Sequence, residues 1–131
     1  MRNPIHNSIV SPLFDDVSVA NKLVAINRER RMAFRAYPTV DHYSANVLLF
    51  VFLGQEGLEW APVAEIPEET SIRAKTLQRY LNHLVSIGVL EVESDESNEI
   101  VRARLSTEGR IVMSRYLLAV KATLSPRAGG R

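Results

Sequence analysis

A mainly helical α+β domain with one small antiparallel β-hairpin is predicted for this chain by three observations. Apolar residues recur at spacings of three and four within residues 19–33, 77–85 and 111–124. Two short alternating runs, "VLEVE" and "IVRARL", flank a polar loop at residues 94–98, which is the pattern of a hairpin. Helix-breaking residues (Pro38, Gly54, Gly57, Pro67 and Gly88) punctuate the chain between these stretches.

Composition narrows the class. The 131 residues are 46% hydrophobic and 24% charged, which suits one globular domain with a real core. No apolar run approaches the roughly 20 residues of a membrane helix, and the start "MRNPIHNSIVSPLFDD" lacks the charged-then-apolar pattern of a signal peptide. The absence of cysteine excludes disulfides and thiolate metal sites, and fits a reducing, cytoplasmic setting. A net charge of +1 indicates no partner by itself; only its distribution can.

Element by element, residues 1–14 carry two prolines and no periodicity, and are expected to form a flexible N-terminal arm. Asp15 or Asp16 caps a first helix, expected over 15–36, with apolar Val19, Leu23, Ile26 and Ala33, a basic second half, and Pro38 as its stop. Asp41 starts a second helix, "HYSANVLLFVFLG", apolar on nearly all sides and therefore a central core helix, ended by Gly54 and Gly57. Pro62 suits the first turn of a third helix, but Pro67 would lie inside it, so that helix is expected to be short or kinked near Ile66. In "IRAKTLQRYLNHLVSIG" a stripe of Leu77, Tyr80, Leu81 and Leu84, with Val85 at its margin, faces the core. Lys75, Gln78, Arg79, Asn82 and Ser86 lie on the other side, flanked by Thr76 and His83, and Gly88 is the stop. After the hairpin, Ser106 caps a last helix over 107–124, and residues 125–131 are expected to form a flexible tail.

Two short helices joined by a tight turn and followed by a hairpin make a winged helix-turn-helix. The run from Pro62 to Arg110 resembles the winged-helix domain of MarR-type transcription regulators and of small bacterial winged-helix DNA-binding domains. The resemblance is carried by Thr76 and Arg79, by Leu84 to Leu90 around Gly88, and by Leu105-Ser106-Thr107-Glu108-Gly109-Arg110. It covers a little over a third of the chain, and the ordered set is more specific than any single motif. It implies that the helix over 74–87 enters the major groove, that the hairpin is a wing beside it, and that flanking helices 15–36 and 107–124 make a homodimer. The core of the motif then spans 41–110 of one domain over 15–124. It further implies a sequence-specific regulator of double-stranded DNA in a bacterial cytoplasm, associated with the nucleoid, whether or not a small effector controls it. Three departures stand out: Pro67 within the motif's first helix, Ser71 where the turn often has glycine, and "SDESNE" where wing tips are commonly rich in arginine.

Within that frame the DNA-facing candidates are Arg73, Lys75, Thr76, Gln78, Arg79, Asn82, His83, Arg102 and Arg104. Arg79 has the chemistry to pair with guanine, Gln78 or Asn82 to read adenine, and Lys75 and Arg73 to hold phosphates. The plainer alternative is the solvated face of an amphipathic helix. Arg28, Arg30, Arg31 and Arg35 of the first helix suit flanking phosphates, a partner chain, or acids such as Glu29. Arg102 and Arg104 share one strand face; they reach phosphate or, the favoured reading, neutralise Glu91 and Glu93 across the hairpin. "EVESDESNEIVRARL" puts five acids into residues 91–99, which leaves Asp95, Glu96 and Glu99 at a tip expected to stay off DNA. That acidic wing also favours a second function, a protein-interaction module keeping the fold without reading DNA.

An enzyme is not expected, nor a cofactor. His6, His42 and His83 show no metal-ligand spacing, and no phosphate loop or nucleophile elbow is present. Glu65, Glu68 and Glu69 lack the layout of a calcium loop and are expected to be surface charges. Trp60 and Phe50 are expected to be core or interface anchors.

Overall fold

A computed structural model describes residues 15–70 and 72–125. The expected arm over 1–14, Ser71, and residues 126–131 of the expected tail lie outside the described residues.

Helix α1 (Asp16–Ala33) begins where Asp15 accepts a 2.7 Å bond from the Ser18 amide. It stops three residues short of the expected end at 36. Phe34 turns into the core instead, 2% exposed, and meets Tyr116 edge-on at 5.8 Å. Pro38 acts only later, in the turns linking Phe34, Tyr37 and Val40. No residue of α1 is buried; it lies along the last helix, with the Lys22 ammonium 3.4 Å from the Thr123 carbonyl. Helix α2 (His42–Gly54) is the central helix its composition suggests, burying Ser44, Ala45, Val47, Leu48 and Val51. Asp41 caps it by accepting from the Ser44 amide at 2.9 Å. Gly54 lies within α2, and Gln55 ends it. A Cβ at Gly54 would fall 2.9 Å from Ala61 Cβ, so its missing side chain allows α2 to approach the next element.

That element was not expected. Ala61–Pro62 forms a strand, β1, which pairs Ala61 with Ala103 and Pro62 with Arg102, so the sheet has three strands in the order β1-β3-β2. Two residues show no alternation, and proline argues against a strand except at an edge, where this one lies. A 3₁₀ turn (Val63–Glu65) leads into α3 (Ile66–Thr70). The expected break near Ile66 is therefore present, and Pro67 occupies a first turn, where its missing N–H is not needed.

Helix α4 (Ala74–Ser86) buries Leu77, Leu81 and Leu84, with Tyr80 and Val85 half-buried beside them. It ends in a Schellman motif. The Gly88 amide bonds the Val85 carbonyl and the Val89 amide bonds that of Leu84, with Gly88 at φ +88°. Strands β2 (Leu90–Ser94) and β3 (Ile100–Leu105) pair from Leu90–Leu105 to Ser94–Ile100, with a bulge at Glu93/Ser94. Helix α5 (Thr107–Leu124) is joined to this unit by Ser106. The Ser106 hydroxyl donates to the Gly88 carbonyl at 2.6 Å and accepts from the Gly109 amide at 3.0 Å. Gly109 is required because a Cβ there would sit 2.1 Å from the Val89 carbonyl oxygen. Ser106 and Gly109 of the quoted motif thus fasten α5 to the end of α4.

Candidate nucleic-acid interface

The outer face of α4 is built by the leucine stripe opposite it. With Leu77, Leu81 and Leu84 fixed in the core, Arg73, Lys75, Arg79 and Asn82 stand exposed, while Thr76, Gln78 and His83 are half-buried. Among the described residues, the side chains of Arg73, Lys75, Arg79 and Asn82 have no hydrogen-bond or ion-pair partner. Two cations and an amide that fit phosphate or base edges are therefore uncommitted along 75–82.

The remaining candidates are held inside the chain. The amide of Gln78 makes two bonds to one residue: its Nε2 donates to the Ile100 carbonyl at 3.0 Å, and the Ile100 amide donates to its Oε1 at 2.9 Å. Reading adenine would require both bonds to be given up. His83 Nε2 lies 2.7 Å from the Thr39 hydroxyl. Thr76, Arg79, Tyr80 and His83 wall one side of a hollow of about 300 Å³, and Thr39, Asp41 and Ser44 at the start of α2 wall the other. Burial works against the charge on Asp41. The Ser44 amide and hydroxyl, together with nearby His42, outweigh it and keep the carboxyl below its ordinary value.

On the wing, the register sets Glu91 opposite Arg104 and Glu93 opposite Arg102. Both pairs form as ion pairs, that of Arg104 with Glu91 at 2.9 Å, so the favoured cross-strand reading of these arginines holds. Two partners were not legible in the sequence. Glu59 takes a second bond from Arg104 at 2.7 Å, and the Trp60 ring lies 4.1 Å beneath the Arg104 guanidinium and 6.0 Å from that of Arg102. Trp60 is thus a platform for the wing arginines rather than the core or interface anchor expected of it, and the adjacent Glu59-Trp60 pair was the only sequence signal for it. The hydrogen bonds that Arg104 donates to Glu91 and then to Glu59 raise its pKa above the ordinary value. At the tip, Asp95 Oδ1 accepts from the Ser97 and Glu99 amides at 2.9 and 3.0 Å, and Asn98 takes φ 66°. Asp95 therefore organises the turn, while Glu96 and Glu99 are exposed.

Arg28, Arg31 and Arg35 are exposed and Arg30 is half-buried; none of the four forms an ion pair among the described residues. Nor do the described residues bring together three or more His, Asp or Glu able to hold a metal ion, and none of their helices is long and apolar enough to cross a membrane.

No protein-family model matches the chain, and no curated protein matches it. Among solved structures, it is similar to a MarR-family transcriptional regulator from Silicibacter pomeroyi. The identity is 19% and the TM-score 0.55, over 80% of this chain and 68% of that one. At that identity the likeness is one of architecture, and with the order of helices and sheet above it shows that the chain has a MarR-like winged-helix fold.

Proposed function

We propose that this protein is a non-enzymatic regulator that binds double-stranded DNA as a homodimer, with α4 in the major groove. The observation that carries the reading is the uncommitted face of α4. Lys75, Arg79 and Asn82 project from a helix whose other side is locked by three buried leucines. In this arrangement Arg79 pairs with guanine, Asn82 reads adenine, and Arg73 and Lys75 hold phosphates. Dimerisation is supported by apolar side chains left in solvent on the two flanking helices. Val17, Leu23, Val24 and Met32 of α1, and Leu118 and Leu124 of α5, are each more than half exposed. Two recognition helices would then meet grooves about 34–36 Å apart. The solved neighbour's description as a transcriptional regulator agrees with this reading, under which the protein works in the cytoplasm.

A polarisation titration with random genomic fragments across a salt series tests it. Binding is expected to fall with salt at a log–log slope of about −0.9 per phosphate contacted. Arg79→Ala should relax base preference, a bidentate contact being worth about 1–3 kcal/mol of discrimination, whereas Lys75→Ala should weaken all sequences alike. Wild-type affinity and preference in both variants at moderate salt would remove α4 as the reader. One observation favours a second reading, a protein-interaction module. The wing arginines are already neutralised by Glu59, Glu91 and Glu93, so the shank offers no free cation. A wild-type chain without salt-dependent DNA binding would select that module.

A further inference from the structure

We infer that Gln78 is a positioning residue that fastens the wing to α4, and not a base reader; its meaning on DNA rests on the function proposed above. The side-chain amide uses both its ends on a single backbone residue, as a neighbouring strand would. It bonds the carbonyl and the amide of Ile100 at 3.0 and 2.9 Å. The location gives the clamp its effect. Ile100 is the first residue of β3, only 4% exposed, and stands directly after the tip at 95–99. Opposite it the β2–β3 ladder is irregular, because the bulge falls at Glu93/Ser94. On the other side β1 reaches only Arg102 and Ala103. The ladder is thus weakest where the tip joins the shank, and there the recognition helix supplies the missing partner.

The far end of β3 is treated in the same way, since the Leu105 amide donates to Gln55 Oε1 at 2.9 Å. One glutamine follows α2 and the other stands on α4, so β3 is tied at its two ends to both helices that frame it. Leaving Ile100 for a base edge would strand a backbone donor and acceptor in a part-buried setting, the costly direction of the exchange. Wing and recognition helix therefore dock as one body, and the clamp sets how far Glu96 and Glu99 stand from the phosphates that α4 approaches.

The test uses the full chain with Gln78→Met, which preserves side-chain length without hydrogen bonds, and Gln78→Glu, which keeps only the acceptor. Amide exchange at Ile100, followed by NMR on the DNA-free protein, is expected to quicken roughly tenfold in the Met variant, with Glu between it and wild type. On a panel of sites differing by single bases, Gln78→Met should lower affinity by one common factor and change the salt slope, while base preference is retained. Unchanged Ile100 exchange in the Met variant would overturn the clamp. So would lost preference at one base position with Ile100 protection intact, because Gln78 would then be reading that base. If wild type itself binds no DNA, the proposed function fails and takes the DNA role of the clamp with it. The exchange data from the free protein distinguish that failure from failure of the clamp itself.

Discussion

Substituting Gly109 by alanine sets two physical effects of opposite sign against each other. Helix propensity alone favours the change by up to about 1 kcal/mol, since glycine is a poor helix former. Sterics oppose it. The new Cβ would lie 2.1 Å from the Val89 oxygen and 3.0 Å from its carbonyl carbon. Carbon and oxygen settle at roughly 3.3 Å or more, so the backbones must part by about 1.2 Å. Neither side yields easily. The Val89 carbonyl also accepts the Ser106 amide at 3.0 Å, and the Val89 side chain is fully buried. Displacing α5 also strains the cap from Ser106 to the Gly109 amide. Overpacking costs about 1–3 kcal/mol, and a backbone clash belongs at the upper end. The weakened cap adds about 1 kcal/mol. After the propensity gain, the net loss is about 3 kcal/mol, a fall in melting temperature of roughly 10 °C for a chain of this size. Thermal unfolding by circular dichroism at a fixed protein concentration measures it. Gly57→Ala is the control: its φ is +74° with nothing within 4 Å, so it should lose only about 1 kcal/mol, from conformation. A Gly109→Ala chain as stable as wild type, or more stable than Gly57→Ala, would refute the close-approach argument.

Three further outcomes are expected. Glu96→Gln with Glu99→Gln should tighten nonspecific DNA binding in the polarisation assay by removing charge from the tip while leaving Asp95 to hold the turn; weaker binding would mean that the wing is misread. Asp41 has a folded-state pKa below the ordinary aspartate value, so its cap contributes stability above the unfolded value and loses it as pH falls through the folded one. The stability difference between wild type and Asp41→Ala, about 1 kcal/mol at neutral pH, should close in acid, and a gap independent of pH in urea titrations would contradict this. A double-mutant cycle of Trp60→Ala and Arg104→Ala should show a coupling of about 0.5–1 kcal/mol from the stacked pair, and zero coupling would make the stack incidental.

Helix α4 was legible in the sequence because burial of one face imposes the period directly. The stripe of Leu77, Leu81 and Leu84 and the caps at Asp15, Asp41 and Ser106 are local signals with local causes. The cross-strand pairs of the wing were legible too, because alternation sets which residues share a face. What escaped depended on tertiary contact. Strand β1 exists because β3 offers it partners, and its two residues carry no pattern of their own. The end of α1 was decided by Phe34 finding Tyr116 across the fold rather than by Pro38 nearby. Gln78 sits on the polar side of α4, where sequence spacing cannot separate an amide facing solvent from one reaching Ile100, 22 positions away. The separate commitments of Gln78, His83, Arg102 and Arg104 divide a candidate list that residue chemistry alone had grouped together.

The small sheet also bears on solubility. In the order β1-β3-β2 both outer strands have an edge with no strand partner among the described residues, the usual template for association between chains. At one edge β1 is two residues long, and Pro62 has no N–H to offer an incoming strand. At the other, β2 carries Glu91 and Glu93 and breaks register at the bulge before Ser94. A second copy adding its own β2 there would have to follow a bent strand whose carboxylates are already engaged by Arg102 and Arg104. The bulge at one edge and the proline at the other therefore disfavour strand addition to this sheet.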